Sequence, residues 1–183
     1  VSFGDDSSFD FTAATNVSLS FWFRTPDISS GTRVMVSKYR GDDSEGGYKV
    51  YLSSDGKVNF GVDDDNSWGP DDVATSINAY DDNLWHYVSA VKTGTTSLTL
   101  YVDGLKVGEK GSLTATGTLV NDDPFTLGMD ADLTSNPYTG FIDELKVYTT
   151  SARTADEVKS DVLGTTSNRG TAAAFTDSDS SLS

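Results

Sequence analysis

The early part of the chain carries a strictly alternating stretch, Val17-Ser18-Leu19-Ser20-Phe21-Trp22-Phe23-Arg24. Its odd-numbered positions are all apolar, whereas serine, tryptophan and arginine fill the even-numbered ones. Successive side chains of a β-strand point to opposite faces of the sheet, so this pattern predicts a strand with one buried face. The same alternation recurs at Tyr48–Ser53 and Val58–Val62, and the turn Ser54-Asp55-Gly56 between them predicts a hairpin.

The rest of the chain repeats this pattern and adds one helix. Further strands are predicted at Arg33–Lys38, Trp85–Lys92, Ser97–Asp103, Phe125–Gly128 and Phe141–Tyr148. The segment Thr154-Ala155-Asp156-Glu157 has the form of a capping box, and the apolar residues that follow it predict a short helix. Many short strands with Asp/Ser/Gly-rich loops indicate an all-β protein in which two antiparallel sheets form a sandwich.

Composition excludes several classes of protein. The 183 residues favour one domain, and 13 Lys+Arg against 28 Asp+Glu give a formal net charge of −15. That charge argues against a nucleic-acid partner, because phosphate binding needs a basic surface. The absence of cysteine excludes a disulfide framework and a zinc-thiolate site. No apolar run approaches the length that crosses a bilayer, so no membrane insertion is expected.

Five segments carry a family resemblance when they are taken in chain order: Val17–Phe23, Gly47–Val58, Leu84–Val88, Leu98–Gly104 and Gly140–Tyr148 with the helix after it. Together they resemble the laminin G-like branch of the concanavalin A-like β-sandwiches, a group that also includes the pentraxins. The resemblance covers Val1 to Leu163 and implies a jelly roll, secreted or on the cell surface. It also implies a domain that is often calcium-stabilised and serves in adhesion or carbohydrate binding.

The two ends of the chain suggest a displaced strand. Domains of this family usually open with two strands before the Trp-containing one, and Val1-Ser2-Phe3 looks like the second of them. The missing first strand matches residues 171–183, so we expect a sandwich over 1–165, a linker over 166–170 and a displaced terminal strand over 171–183. That strand could complete a neighbouring copy, mark one period of a tandem array, or close its own sandwich. The residues expected at the junction are Ala172, Ala174, Phe175, Leu182, Val1 and Phe3.

Acidic loops are candidate calcium sites, because calcium takes six to eight oxygen ligands. The proposed ligands are Asp143, Asp177, Asp179, Asp130 and Asp132. Alternation places Asp143 on the same face as Phe141, Leu145 and Val147, where a carboxylate must accept backbone hydrogen bonds or bind a cation. For the loops, a hydrated acidic surface is the alternative. Gly47 stands where laminin G-like domains often carry an aspartate, which argues against the family's usual rim site.

A second set of residues is predicted to bind a ligand. Trp68 follows Asp65 and Asn66 in a loop with Gly and Pro, and Tyr138 follows Asn136-Pro137. An exposed aromatic ring could stack on a sugar while the neighbouring polar groups bind its hydroxyls. The alternative is that these rings anchor their loops on the sandwich.

No catalytic constellation can be assembled from the sequence. His86 is the only histidine and lies in a strand without a serine-nucleophile motif, and the four Glu residues lack the spacing of a glycosidase pair. We therefore expect a non-catalytic extracellular module for adhesion or structure, joined to other copies of itself through its terminal strand. The alternative function is a calcium-assisted, lectin-like domain with glycans as partners.

Overall fold

The computed structural model describes residues 1–26, 28, 31–40, 46–65 and 69–164. Within them the chain forms a short 3-10 helix, Ser7–Phe9, ten strands, and a helix α1 over residues 155–164. The strands are β1 (Val17–Arg24), β2 (Arg33–Lys38), β3 (Gly47–Leu52), β4 (Lys57–Asp63), β5 (Asp72–Ala79), β6 (His86–Thr93), β7 (Ser97–Val102), β8 (Leu105–Gly111), β9 (Thr126–Leu127) and β10 (Phe141–Tyr148).

The strands form two antiparallel sheets of five, with the orders β10-β1-β6-β7-β8 and β5-β4-β3-β2-β9. The alternation in β1 has the predicted effect, since Leu19, Phe21 and Phe23 are fully buried between the sheets. Val50 and Phe60 reach the same core from the second sheet. The sequence prediction of a two-sheet antiparallel sandwich with one short C-terminal helix is therefore confirmed.

The helix begins as the capping box predicts. The hydroxyl of Thr154 accepts a hydrogen bond from the Glu157 N–H at 3.3 Å, and the Glu157 carboxylate accepts one from the Thr154 N–H at 2.8 Å. Val158 is fully buried against Val91 and Tyr101, so the helix covers the outer face of the first sheet.

A β-bulge in β10 overturns the predicted placement of Asp143 on the core face, while calcium binding by this residue stays a prediction. Ser20 pairs with Lys146 but Trp22 pairs with Asp143, so two residues of β10 lie opposite one residue of β1. The extra residue is Glu144, whose φ of 53° is left-handed. The bulge shifts the alternation by one, so that Ile142, Leu145 and Val147 pack on the core. Asp143 is consequently exposed, and its carboxylate accepts the Glu144 N–H.

The N-terminal residues extend the second sheet beyond β9. Ser2 forms an antiparallel bridge with Thr126, and Val1 exchanges hydrogen bonds with Leu127 at 2.7 and 2.8 Å. Val1 is 73 % exposed and Phe3 52 %. The predicted linker and terminal strand, with Ala172, Ala174, Phe175 and Leu182, lie outside the described residues.

Candidate binding site

A cavity of about 350 Å³ lies on the outer face of the second sheet, where the loop after β9 crosses β2 and β3. The strand β3 turns Tyr48, Val50 and Leu52 into the core, so its intervening residues point outward. Two of these, Lys49 and Tyr51, line the cavity. Its other walls come from β2, from the residues that flank β2, and from the loop: Thr32, Val34, Arg40, Asp130, Ser135 and Asn136.

The loop is fixed to the sheet by backbone hydrogen bonds. The Val34 N–H donates to the carbonyl of Asn136 at 3.0 Å, and the Asp130 N–H donates to the carbonyl of Ser135 at 3.1 Å. Asp132 closes the turn, because its carboxylate accepts the N–H groups of Thr134 and Ser135 at 2.8 Å. Burial raises the pKa of Asp132, but the hydrogen bonds from Ser135 and Thr134 outweigh it and hold the pKa at about 2.

A buried ion pair forms the floor of the cavity. The Lys49 ammonium lies 2.5 Å from Asp130 Oδ1, and both side chains are at most 5 % exposed. Asn136 Nδ2 donates to the second oxygen, Oδ2, of Asp130 at 2.6 Å, and the ammonium also lies 4.8 Å from the centre of the Tyr39 ring. The two charged groups on the floor are thus paired with each other within the protein, which makes the floor a preorganised polar surface.

The mouth of the cavity is more accessible. The Arg40 side chain is 45 % exposed and lies 3.3 Å from the Asp123 carboxylate. Tyr51 is half-buried, and burial raises the pKa of its phenol, so the hydroxyl remains a neutral donor and acceptor. The aromatic ring of Tyr51, the guanidinium of Arg40 and the side-chain amide of Asn136 therefore line one opening, a combination that suits a polar, hydroxyl-rich ligand.

Across the described ranges of the chain, the predicted metal ligands are not brought together in one place. Asp130 lines the cavity but is paired with Lys49, and Asp132 is used by its own turn. Asp65 follows β4 in the second sheet and Asp143 lies on β10 in the first sheet, and both are exposed. Among the residues that the structure describes, no three His, Cys, Asp or Glu side chains are grouped to hold a metal ion. Asp177, Asp179, Asn66 and Trp68 fall outside the described residues.

Tyr138 is an anchor rather than an exposed ring. It is half-buried and packs on the main core, and its hydroxyl donates to the carbonyl of Arg24 at 2.9 Å. Burial raises the pKa of Tyr138 well above its ordinary value. This arrangement fits the alternative given above, in which the ring fixes its loop to the sandwich. Binding by this residue stays a prediction.

Sequence reasoning missed the residues that line the cavity, Arg40, Lys49 and Tyr51. The alternation in β3 was a usable signal, since it places Lys49 and Tyr51 on the outward face. Their meeting with Asp130 was not readable, because it depends on a contact between residues distant in the chain.

Comparison with known proteins agrees with this architecture. The family model described as the concanavalin A-like lectin/glucanases superfamily matches residues 1–159. No curated protein sequence matches the chain. No helix in the described part of the chain is long and apolar enough to cross a membrane.

Solved structures with the same fold are distant in sequence. The binding domain of Paraclostridial Mosquitocidal Protein 1 has a TM-score of 0.64 at 20% identity, over 88% of this chain and 40% of the other. The binding domain of botulinum neurotoxin DC, solved in complex with SialylT, has a TM-score of 0.61 at 11% identity, over 82% and 36%. The heptameric SAP-like pentraxin of Limulus polyphemus has a TM-score of 0.59 at 16% identity, over 84% and 72%. The chain thus spans about two fifths of the toxin domains.

Proposed function

Because this chain belongs to the concanavalin A-like lectin/glucanases superfamily, we propose that it is a non-catalytic module of an extracellular protein and binds a carbohydrate in the cavity beside Tyr51. The observation that carries the proposal is the cavity itself. Its volume of about 350 Å³ is within the range of small-ligand pockets, and a paired polar floor lies beneath an exposed guanidinium and an aromatic ring.

The single acidic residue among the described lining residues supports binding rather than hydrolysis. Glycoside hydrolysis uses two carboxyl groups on either side of the bond that is cleaved. Among the described lining residues, Asp130 is the only acid, and its two oxygens are engaged by Lys49 and Asn136. Of the described glutamates, Glu109 pairs with Lys106 on β8, Glu144 lies at the bulge of β10 and Glu157 caps the helix, and none of them lines the cavity.

The relatives of the same fold favour an extracellular binding role. Two are the binding domains of a mosquitocidal protein and of a botulinum neurotoxin, the latter solved with SialylT, and a third is a pentraxin. These descriptions apply to those proteins. For this chain they support the expectation of a secreted or surface-displayed module whose ligand is a glycan.

The test is binding to immobilised oligosaccharides by the wild type and by Tyr51→Ala and Arg40→Ala. We expect each substitution to weaken binding at least about tenfold, which corresponds to about 1.4 kcal/mol. Lys106→Ala is a matched control, because it removes a half-exposed cation on β8. Trp68→Ala tests the loop predicted from the sequence. The proposal would be contradicted if the wild type bound none of a diverse set of glycans, or if Tyr51→Ala bound as well as the wild type.

A second candidate function is strand addition at the N-terminal edge of the second sheet. The segment Val1–Gly4 pairs with β9 and the residue before it: the N–H and C=O groups of Val1 bond to Leu127, and the N–H of Phe3 and the C=O of Gly4 bond to Phe125. Hydrogen bonds of an antiparallel pair alternate between the two sides of a strand, so the N–H and C=O of Ser2 face away from β9. Such an edge is a template for another strand, and residues 171–183 are the proposed donor, in a neighbouring copy or in the same one.

Deletion of residues 171–183 tests this second candidate. If the donor acts between copies, the intact chain forms oligomers whose size rises with concentration in light scattering, and the deletion leaves a monomer. Phe175→Asp should act like the deletion, whereas Thr176→Asp, on the other face of the proposed strand, should have less effect. Unchanged assembly after the deletion would eliminate strand exchange between copies.

A further inference from the structure

Lys38, at the end of β2, carries a fully buried ammonium that oxygen atoms surround. Two of these oxygens are carboxylate oxygens, Asp5 Oδ1 and Asp10 Oδ1, each at 3.0 Å. The other three come from Asn121, whose carbonyl and side-chain oxygens lie at 3.0 and 3.2 Å, and from the Asp123 carbonyl at 2.9 Å. We call these four residues, which hold the ammonium, the oxygen cage.

The oxygen cage holds more oxygens than lysine can satisfy by hydrogen bonding. An ammonium has three N–H donors, whereas five oxygens lie within 3.2 Å of it. Carboxylate, amide and backbone carbonyl oxygens are also the ligands that calcium takes from proteins. The two carboxylates carry a charge of −2, which a divalent cation would balance and which one ammonium balances only in part.

The oxygen cage is rigid because its parts are held by other contacts. Asn121 Nδ2 donates to the carbonyls of Lys38 and Gly46 at 2.8 and 2.7 Å, which fixes the orientation of the amide. Between the two aspartates, Phe9 stacks on Phe125 with ring centres 4.2 Å apart, and its carbonyl accepts the hydroxyl of Tyr48. The oxygen cage thus joins the N-terminal segment, the end of β2 and the loop before β9.

The family resemblance led us to expect a calcium-stabilised domain, and the centre of this cage does not fit a metal ion because the lysine nitrogen lies there. We infer that the Lys38 ammonium is a built-in substitute for a bound divalent cation, so that the N-terminal segment is held on the sandwich without calcium. Removal of the lysine side chain should convert the oxygen cage into a calcium site.

Lys92 provides a matched control within the same fold. Its ammonium is also fully buried, and it is held by the carbonyls of Thr12, Ala13, Thr15 and Gly94. No carboxylate takes part in these contacts, so the site has no negative charge to offset a divalent ion. Lys92→Ala should therefore destabilise the protein without creating a response to calcium.

The experiment compares thermal unfolding in millimolar calcium and in chelator, with calcium binding measured by titration calorimetry. The wild-type midpoint should be the same in both. Lys38→Ala should lower the midpoint in chelator by about 10 °C, because a fully buried side chain is removed and the carboxylates of Asp5 and Asp10, which are 45 % and 19 % exposed, lose their counterion. Calcium should restore much of this loss. Adding Asp5→Asn and Asp10→Asn to Lys38→Ala should abolish the calcium response. The inference fails if calcium does not raise the midpoint of Lys38→Ala, or if calcium still raises it after Asp5→Asn and Asp10→Asn are added.

A second set of variants covers the case in which Lys38→Ala folds under neither condition. Lys38→Met leaves the two carboxylates without a cation, and Asp5→Asn with Asp10→Asn removes their charge. The triple variant should therefore be more stable than Lys38→Met alone in urea unfolding. If the two asparagine substitutions give no such recovery, the carboxylates do not serve the cation and the inference is overturned.

Discussion

Asp63, at the end of β4, is a buried residue whose charge is not fully compensated. Its side chain is fully buried, Oδ1 accepts the Asp65 N–H at 3.1 Å, and Oδ2 has no hydrogen-bond partner. Burial raises the pKa of Asp63 to about 6, and the negative charges of Asp71, Asp65 and Asp64 add to this effect. The buried ammonium groups of Lys38 and Lys92 differ from it, because each is surrounded by oxygen acceptors.

We predict that Asp63→Asn stabilises the protein at pH 7.5 and gives a smaller gain at pH 4. A carboxyl whose pKa is higher in the folded than in the unfolded state favours folding when protonated. This contribution is lost as the pH rises from about 4 to about 6. Asparagine removes the charge and keeps the acceptor for the Asp65 N–H, so we expect a gain of about 1 kcal/mol at pH 7.5. Urea unfolding at the two pH values measures it, and an equal effect at both would show that Asp63 does not titrate in this range.

Burial of charged residues was beyond sequence reasoning. Lys38, Lys49 and Lys92 lie in strands, where alternation predicts only which side of the sheet each faces. Whether the outer face is exposed depends on the segments that cross it, such as the loop that brings Asp130 to Lys49. The composition indicated a hydrated acidic surface, but several of these acids instead hold buried lysines.

At the scale of the element, the hairpin between β7 and β8 depends on the two-residue loop Asp103-Gly104. Their φ values of 53° and 79° are both left-handed, as a type I′ turn requires. Gly104→Ala should cost about 1–2 kcal/mol, because a side chain is disfavoured in this conformation. Urea unfolding tests the prediction.

Gly111, at the end of β8, is the matched control for that substitution. It has no left-handed φ, and no atom lies within 4 Å of the position that a Cβ would occupy. Gly111→Ala should therefore leave the free energy of unfolding within about 0.5 kcal/mol of the wild type. Equal effects of the two substitutions would show that the turn conformation is not what makes Gly104 necessary.

Strands with one apolar face could be predicted from the sequence, and strands without one could not. β1, β2 and β10 were predicted with their observed bounds, because apolar residues alternate along β1 and recur along β10, and β2 contains the apolar run Val34-Met35-Val36. β5 and β8 were missed, since Asp72–Ala79 and Leu105–Gly111 are rich in polar residues and glycine. The bulge at Glu144 was also hidden, because it arises from pairing with β1 and leaves no mark in the alternation of β10 itself.

At the scale of the whole molecule, the two-sheet arrangement follows from the many alternating segments, whereas the cavity does not. The core needs only that each strand bury its apolar face, which is a local property of the sequence. The cavity needs the loop after β9 to return across β2 and β3, as the bond between Val34 and Asn136 shows. Such long-range contacts depend on the three-dimensional path of the chain.

The net charge of −15 leads to a last prediction, at the scale of the whole chain. Excess negative charge on a compact fold repels itself, and dissolved salt screens this repulsion beyond about 10 Å at 0.1 M ionic strength. We therefore expect the thermal midpoint to rise by about 2–4 °C, equivalent to about 1 kcal/mol, when sodium chloride goes from about 0.01 to 0.15 M. The buried ion pair between Lys49 and Asp130 should reduce this rise only slightly, because salt screens buried pairs weakly. If screening is the cause, choline chloride should raise the thermal midpoint as much as sodium chloride does at the same ionic strength. The effect should shrink near pH 4, where many aspartates are protonated, and a midpoint that falls with salt would mean that surface ion pairs outweigh repulsion.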